Sequence, residues 1–214
     1  GPGNSTAQLA KRFPAAEILG VDSSDDMLER AGKSHPELTF RKCFVPDGLS
    51  EFKNFDLIFS NACLHWIPGH ETLLPKLMEK LTPGGMLAVQ IPLTQQAVFY
   101  KLLHELIQAD KWKMLNEIHN FHNLTPNATY DVLAGCSVEV AMWETVYYHV
   151  VPSHSAVIDW YKGSGLKPYL DALGENEKTE FLGELLEAVK GNIPIQGDGN
   201  VILKMPRLFF TAKK

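Results

Sequence analysis

Short apolar runs with the composition of β-strands alternate with amphipathic helical segments through the first half of the chain. A helix between two successive strands of one sheet makes them parallel, and such helices cover both faces of the sheet. The alternation therefore predicts an α/β domain with a doubly wound, mostly parallel sheet. The predicted strands are residues 17–21, 38–42, 55–60 and 86–91, and the predicted helices are residues 5–13, 23–33, 70–81 and 97–109.

The second half of the chain has a different pattern. SVEVAMWETVYYHVV (137–151) is typical of one long strand, residues 154–190 of several helices, and ILKMPRLFFTAKK (202–214) of a closing strand. Pro206 lacks the N–H that a ladder requires, so the pattern predicts an edge position or a bulge for that strand. The 214 residues show no repeat or linker. We therefore expect one domain with a helical insertion before its last strand.

Charge and cysteine content limit the classes of partner. The formal net charge is -5, which argues against a broad surface for nucleic acid or an anionic membrane. No run approaches the roughly 18 apolar residues that span a bilayer. Cys43, Cys63 and Cys136 are odd in number and far apart, which argues against a disulfide framework and favours a reducing compartment. We expect a cytoplasmic protein that binds a small molecule, not nucleic acid or a membrane.

The chain opens on GPGNST, a glycine-rich turn that leads into the first predicted helix. Gly1 and Gly3 allow close approach of the backbone to a ligand, and one of the residues 4–6 is expected to cap the helix. Asp22 follows the first predicted strand, 21 positions after Gly1. A carboxylate at a strand end can accept from both hydroxyls of a ribose. These residues alone leave open a cofactor site or an ordinary turn with a helix cap.

Several motifs, taken together and in order, carry a family resemblance. GPGNST (1–6), GVDSSDDML (20–28), FDLIFSNACLHWIP (55–68) and LTPGGMLAVQIP (81–92) resemble the successive motifs of class I S-adenosylmethionine-dependent methyltransferases. YYHVVPSHSAVIDWYKGSGLKPYL (147–170) and MPRLFF (205–210) resemble the trans-aconitate 2-methyltransferase subgroup. A nicotinamide-dependent oxidoreductase would share the glycine turn and Asp22 but not the later motifs. The resemblance implies a Rossmann-like sheet of seven strands with the last one antiparallel.

The resemblance also implies the cofactor and its contacts. Residues 1–92 would form the cofactor-binding half and residues 93–214 the substrate side, with a helical cap over about 153–191. The Trp66 ring would face the sulfonium of S-adenosylmethionine, although a packing role for this loop aromatic stays open. The residues that match the cofactor-binding positions are Gly1, Gly3, Asp22, Ser23, Met27, Asn61, Ala62 and Trp66. S-adenosylhomocysteine would be the product.

For the substrate, the resemblance implies methyl-ester formation on trans-aconitate or a related small polycarboxylic acid. A carboxylate is already ionised near neutral pH, so we expect positioning residues and no essential general base. Lys167 stands where the subgroup usually has arginine, which leaves the identity of the acid open. Packing or surface roles also stay open for several of the candidates. The candidate substrate-binding residues are Tyr148, His149, His154, Trp160, Lys167 and Arg207.

A histidine pair in HNFH, His119 and His122, raises the question of a metal site. A catalytic zinc site needs at least three protein ligands, and no third ligand stands at a persuasive spacing. We therefore expect no metal.

Two departures from the family pattern matter. The strand that normally precedes the glycine turn has no counterpart before Gly1, and it usually lies between the strands predicted at 17–21 and 55–60. Without it those strands lose ladder partners, at about 1–3 kcal/mol per buried unpaired group. We therefore expect either a truncated or incompletely represented protein that folds poorly as a single chain, or a second copy that fills the gap in a strand-swapped dimer.

The second departure concerns the adenine site. Where the family usually has an acidic residue, Phe44 aligns, unless Asp47 substitutes. Both departures support an alternative function: a truncated or degenerate methyltransferase homologue with weak cofactor binding and no activity.

Overall fold

Strand order separates the protein into two sheets. The structure, a computed structural model, describes residues 1–118 and 121–214. Strands β1 (Leu19–Asp22) and β2 (Thr39–Lys42) form a parallel pair. The larger sheet has the order β3 (Phe55–Asn61), β4 (Leu81–Pro92), β6 (Val201–Lys213), β5 (Glu139–Val151). β3 and β4 are parallel, whereas β6 is antiparallel to both neighbours. The predicted α/β class and the antiparallel last strand are confirmed.

Helices cover the sheets and form the predicted insertion. The last three helices lie between β5 and β6, as the sequence predicts. The helices are α1 (Asn4–Arg12), α2 (Asp25–Ser34), α3 (His70–Glu79), α4 (Val98–Ile107), α5 (Pro126–Ala134), α6 (His154–Lys162), α7 (Lys167–Asp171) and α8 (Glu175–Asn192).

The first two helices begin differently. Ser24 caps α2, because its side-chain oxygen accepts from the N–H of Met27. α1 begins after Gly3, which has φ 88° and supplies no side-chain cap. The expectation that one of residues 4–6 caps α1 was therefore wrong, because the chain enters the helix through a left-handed glycine. A Cβ at Gly3 would lie 2.8 Å from the ring of His35.

Two hydrophobic cores hold the larger sheet. One face of β4 and β6, including Val89, Ile91 and Phe210, packs beneath α3 and α5. The second core joins α4, α6 and α8 to the ends of β5 and β6, with Phe99 and Phe181 fully buried. This second core fixes the helical insertion over one end of the sheet, where the side chains of the candidate site converge.

Pro206 does not occupy an edge strand. β6 lies between β4 and β5, so the predicted edge position was wrong. The Pro206 carbonyl accepts from the N–H of Leu93 at 3.0 Å, so the backbone polar groups of this residue face β4. The paired register with β4 ends one residue away, at Pro92 opposite Arg207. The missing N–H therefore falls where the ladder stops, which makes proline tolerable in a central strand.

The expected seven-stranded sheet is replaced by two sheets, because β1 and β3 are not paired with each other. Helices also cover less of the larger sheet than expected, since Phe59, Met86 and Trp143 stay partly exposed on one face. No helix in the described ranges is long and apolar enough to cross a membrane.

Candidate active site

Asp22 ends β1 as an ionised hydrogen-bond acceptor. Its carboxylate accepts from the N–H of Ser24 at 2.8 Å and pairs with the amino group of Gly1. Partial burial opposes ionisation, but the hydrogen bonds outweigh burial and hold the pKa of Asp22 below its usual value. Gly1 and Ser23 are exposed beside it, and Met27 is half-buried in the first turn of α2.

The end of β3 lies within electrostatic range of Asp22. Burial of the sulfur raises the pKa of the Cys63 thiol, and the negative charge of Asp22 raises it further. Part of the residue nevertheless remains exposed. Asn61 and Ala62 precede it and are exposed. Ala62 has φ 50°, a left-handed conformation that costs roughly 1–3 kcal/mol for a residue with a Cβ. The carboxyl ends of β1 and β3 therefore lie near each other, with a strained turn at the end of β3.

Trp66 belongs to an aromatic cluster in the segment that follows β3. Its ring centroid lies 4.8 Å from those of both His65 and Phe121. Phe121 is also 4.9 Å from the ring of Tyr100, which connects the cluster to α4. Trp66 keeps an exposed surface, whereas His65 is only 4% exposed.

Arg207 is the cation at the centre of the site. It lies in β6, opposite Pro92 of β4 and Thr145 of β5, and is half-buried. Its Nη1 lies 3.4 Å from Oε1 of Gln90. No carboxylate of the described residues forms an ion pair with it. Withdrawing a guanidinium from water without a counter-ion is costly, so this side chain can gain from pairing with an anionic group.

Several buried polar side-chain atoms, on β3, β4 and the loops that follow them, have no hydrogen-bond partner in the described structure. Gln90 is 6% exposed, and its Nε2 has no hydrogen-bond partner in the described structure; Nδ1 of His65 is in the same situation. Oδ1 of Asn123 and Oγ of Ser60 are likewise buried and unpartnered there. Each such atom costs about 1–3 kcal/mol when it stays unsatisfied, so the group needs an explanation.

Two buried tyrosines, Tyr100 and Tyr161, lie within electrostatic range of Arg207. Burial raises the pKa of both Tyr100 and Tyr161, while the charge of Arg207 opposes that rise. Both phenols are therefore neutral near pH 7. Their rings lie 5.2 Å apart, and Tyr161 stacks on Phe99 at 3.7 Å. A Cβ at Gly165 would meet Oη of Tyr100 at 2.2 Å, so this turn has room only for glycine.

The other predicted substrate-binding residues lie in β5 or in the helical insertion. The ring centroids of His149 and Trp160 lie 4.9 Å apart. Tyr148 is exposed on the opposite face of β5. His154 is buried, with Nε2 2.7 Å from the carbonyl oxygen of Ile193. Lys167 is exposed and donates to Asp171 at 2.7 Å. The structure thus brings only Arg207 of this predicted set next to His65, Gln90 and the buried tyrosines.

The sequence analysis missed His65, Gln90, Tyr100 and Tyr161. Gln90 had a usable signal, since it is the one polar residue in the apolar run MLAVQI. Tyr161 follows Trp160, but α6 turns Tyr161 inward and leaves Trp160 exposed.

The predicted adenine contact at Phe44 or Asp47 and the prediction of no metal at His119 and His122 stay predictions. Phe44 is exposed beneath the ammonium of Lys42, and Asp47 begins a short 3₁₀ turn. His119 lies outside the described residues. Within residues 1–118 and 121–214, no cluster of three or more His, Cys, Asp or Glu side chains forms a metal site.

Burial of His65 makes stability depend on pH. Burial and, secondarily, the charges of Arg207 and His70 lower the pKa of His65 from 6.5 to about 4. Between these values the unfolded chain binds a proton that the folded chain does not, so stability falls as pH falls. At pH 4.5 the loss relative to pH 7 is roughly 2–3 kcal/mol from this residue. Urea unfolding at both pH values measures it.

His65→Phe is the test variant, because it keeps a ring between Trp66 and Phe121. We expect it to lose roughly 2–3 kcal/mol less than the parent protein between pH 7 and 4.5. His104→Gln, at an exposed position of α4, should behave like the parent. An equal loss in the parent and in His65→Phe would contradict the burial of a neutral histidine.

Known proteins match this chain in sequence. A family model described as a methyltransferase domain matches residues 1–85. The trans-aconitate 2-methyltransferase of Methylobacterium radiotolerans is 38% identical over 221 residues, covering 100% of this chain and 84% of the relative. The protein of the same name from Escherichia coli O157:H7 is 39% identical over 215 residues, covering 100% and 83%.

Solved structures match the fold. Phosphoethanolamine N-methyltransferase 2 of Haemonchus contortus, solved with S-adenosylhomocysteine, has a TM-score of 0.59 at 15% identity, covering 100% of this chain and 47% of that one. The YcgJ protein of Bacillus subtilis has a TM-score of 0.60 at 12% identity, covering 100% and 88%. With 38–39% identity to curated relatives over its whole length, the chain belongs to the trans-aconitate 2-methyltransferase family of class I S-adenosylmethionine-dependent methyltransferases.

Proposed function

We propose that this protein transfers a methyl group from S-adenosylmethionine to a carboxylate of trans-aconitate or a related small polycarboxylic acid, forming a methyl ester. The names of the 38–39% identical relatives support this substrate class. The observation that carries the proposal is Arg207, a half-buried guanidinium that has no carboxylate partner in the described ranges. Its planar fork fits a carboxylate, which would supply the missing counter-ion.

The cofactor is proposed to bind in a crevice between the carboxyl ends of β1 and β3. Asp22 offers an ionised acceptor for ribose hydroxyls. α1 begins without a side-chain cap, so the N–H groups of its first turn are available to an anionic group such as the amino-acid carboxylate. When bound, the cofactor supplies a methyl group activated by a sulfonium. Gly1, Gly3, Ser23, Met27, Asn61, Ala62 and Trp66 are the further contacts proposed for the residue 1–92 half.

The chain's own residues act by positioning and by excluding water. The substrate oxygen is already ionised, so no side chain has to remove a proton. Arg207 holds the acid, and the buried rings of Tyr100 and Tyr161 keep water from it. A carboxylate that has shed its water is a stronger nucleophile. Well-oriented reactants can gain about 7–11 kcal/mol through proximity alone, so this arrangement needs no acid–base residue.

The remaining candidates have unequal support. His149 and Trp160 contact each other at the rim, where they can meet an entering acid. Lys167 adds a positive charge that is shared with Asp171. His154 and Tyr148 have the least support among the proposed contacts, since His154 is buried against a backbone carbonyl and Tyr148 lies on the opposite face of β5.

The proposal is tested by incubating the protein with isotopically labelled S-adenosylmethionine and trans-aconitate. We expect a monomethyl ester that carries the label, identified by mass spectrometry. Citrate and tricarballylate test whether a related acid is preferred. If none of these acids and their close analogues gains a methyl group, the proposed substrate class is wrong.

The alternative function, a degenerate homologue with weak cofactor binding, is favoured by the missing pairing between β1 and β3. Thermal-shift titration with S-adenosylhomocysteine separates the two, because a ligand that binds only the folded state raises its apparent stability. A rise of several degrees contradicts the degenerate homologue, and no rise supports it.

A further inference from the structure

We propose that Gln90 and His65 complete a carboxylate-binding subsite with Arg207, and that this subsite holds a carboxylate other than the one that is methylated. The inference rests on the proposed function and deepens it, because it requires a substrate with at least two carboxylates. Neither Gln90 nor His65 belongs to the set that the family motifs suggested.

The direction of the Gln90 amide is fixed by its neighbour. Gln90 sits in the middle of the larger sheet, between Asn61 of β3 and Phe209 of β6. An arginine side chain can only donate, so the oxygen of Gln90 must face Arg207, as the 3.4 Å distance from Nη1 to Oε1 shows. The NH₂ group therefore points elsewhere, and it lacks an acceptor within the described structure.

His65 adds a second donor near the same cation. Its backbone is held by the N–H of His122, which donates to the His65 carbonyl at 3.0 Å. Its ring is held between Trp66 and Phe121, at centroid distances of 4.8 and 5.4 Å. Burial keeps the imidazole neutral near pH 7, and the Nδ1–H tautomer can donate to an oxygen.

These donors match one chemical group. A guanidinium, an amide NH₂ and an imidazole N–H offer only donors and one positive charge. A carboxylate has two oxygens with about four acceptor positions and the complementary charge. A neutral ligand would satisfy the hydrogen bonds but leave the charge of Arg207 unbalanced.

The same contacts decide which carboxylate reacts. Three donors withdraw electron density from the bound oxygens, which makes that carboxylate a poor nucleophile. Methyl transfer therefore occurs at another carboxylate of the same molecule, which the anchored group positions towards the crevice between β1 and β3. A monocarboxylate bound at Arg207 would have no free nucleophile.

Kinetics of two Gln90 variants test the subsite. Gln90→Glu places a carboxylate of the same shape beside Arg207, where it should form an internal ion pair and repel the substrate. We expect KM for trans-aconitate to rise about 100-fold, with kcat changed less than tenfold and S-adenosylhomocysteine affinity unchanged. Gln90→Met, neutral and of similar length, should raise KM about tenfold. Gln108→Glu, exposed and hydrogen-bonded to Asn116, is the matched control and should match the parent.

A binding measurement separates this inference from the proposed function. The side-chain NH₂ signals of Gln90, assigned by their loss in Gln90→Met, are followed by ¹⁵N NMR while trans-aconitate, crotonate or inorganic phosphate is added. We expect trans-aconitate to shift these signals, and crotonate to bind without becoming a substrate. A shift without any methyl ester would support the subsite and reject the reaction.

Three results overturn the subsite. One is methylation of trans-aconitate with an unchanged KM in Gln90→Glu. Another is that the Gln90 signals do not respond to trans-aconitate, whether or not trans-aconitate binds to the protein. The third is efficient methylation of crotonate, or a response to phosphate alone.

Discussion

Replacing Arg207 with leucine is expected to lower kcat/KM for trans-aconitate about 10³-fold. The change removes the charge and both arms of the fork, and hydrogen bonds to charged groups are worth about 1.5–3 kcal/mol each. A loss of roughly 4 kcal/mol corresponds to the stated factor. S-adenosylhomocysteine affinity should stay within about threefold of the parent value, because Arg207 is hydrogen-bonded to Gln90 and not to a residue proposed to contact the cofactor. Steady-state kinetics and calorimetric titration measure the two quantities.

Two further variants sharpen this result. Arg207→Lys keeps the charge but not the planar fork, so we expect a loss between those of the parent and the leucine variant. Lys204→Leu removes an exposed cation from the same strand and serves as the matched control. If Arg207→Leu kept KM and kcat/KM within tenfold of the parent, the anionic substrate would have to bind elsewhere.

Replacing Asp22 with asparagine is expected to weaken S-adenosylhomocysteine binding about 100-fold. Asparagine keeps the shape and can still accept from the N–H of Ser24. It loses the negative charge that would accept from two ribose hydroxyls, at roughly 3 kcal/mol in total. Isothermal titration calorimetry measures the change, and KM for the acid at saturating cofactor should stay constant.

Asp26→Asn is the matched control for Asp22. Asp26 lies in the first turn of α2, is exposed and pairs with Arg30 four residues later. It should leave cofactor affinity unchanged. Equal affinity in Asp22→Asn and the parent protein would show that the ribose does not bind at the end of β1.

Local patterns in the sequence predicted the elements well, because those elements depend on local physics. The apolar runs that became β1 to β4 and the cap at Ser24 follow from side-chain alternation and helix capping. Asp22 and Arg207 were proposed as site residues from the sequence and stay predictions. The first ends a strand, and the second lies beside Pro206 in the closing strand.

Long-range packing decided what the sequence could not predict. Pro206 looked like an edge residue because its sequence does not show that the β4 ladder stops at Arg207. Trp160 was a predicted site residue and Tyr161 was not, because only the fold determines which of two adjacent helical residues turns inward. His65 was not among the predicted site residues, because its unpartnered Nδ1 and its proximity to Arg207 arise only in the folded chain.

The separation of β1 from β3 has a consequence for how affinity arises. In the described residues β1 and β3 belong to separate sheets, so a ligand held by Asp22 and by the end of β3 would contact both sheets. Part of its binding free energy would then stabilise the position of one sheet against the other, and thermal stability would rise with ligand concentration.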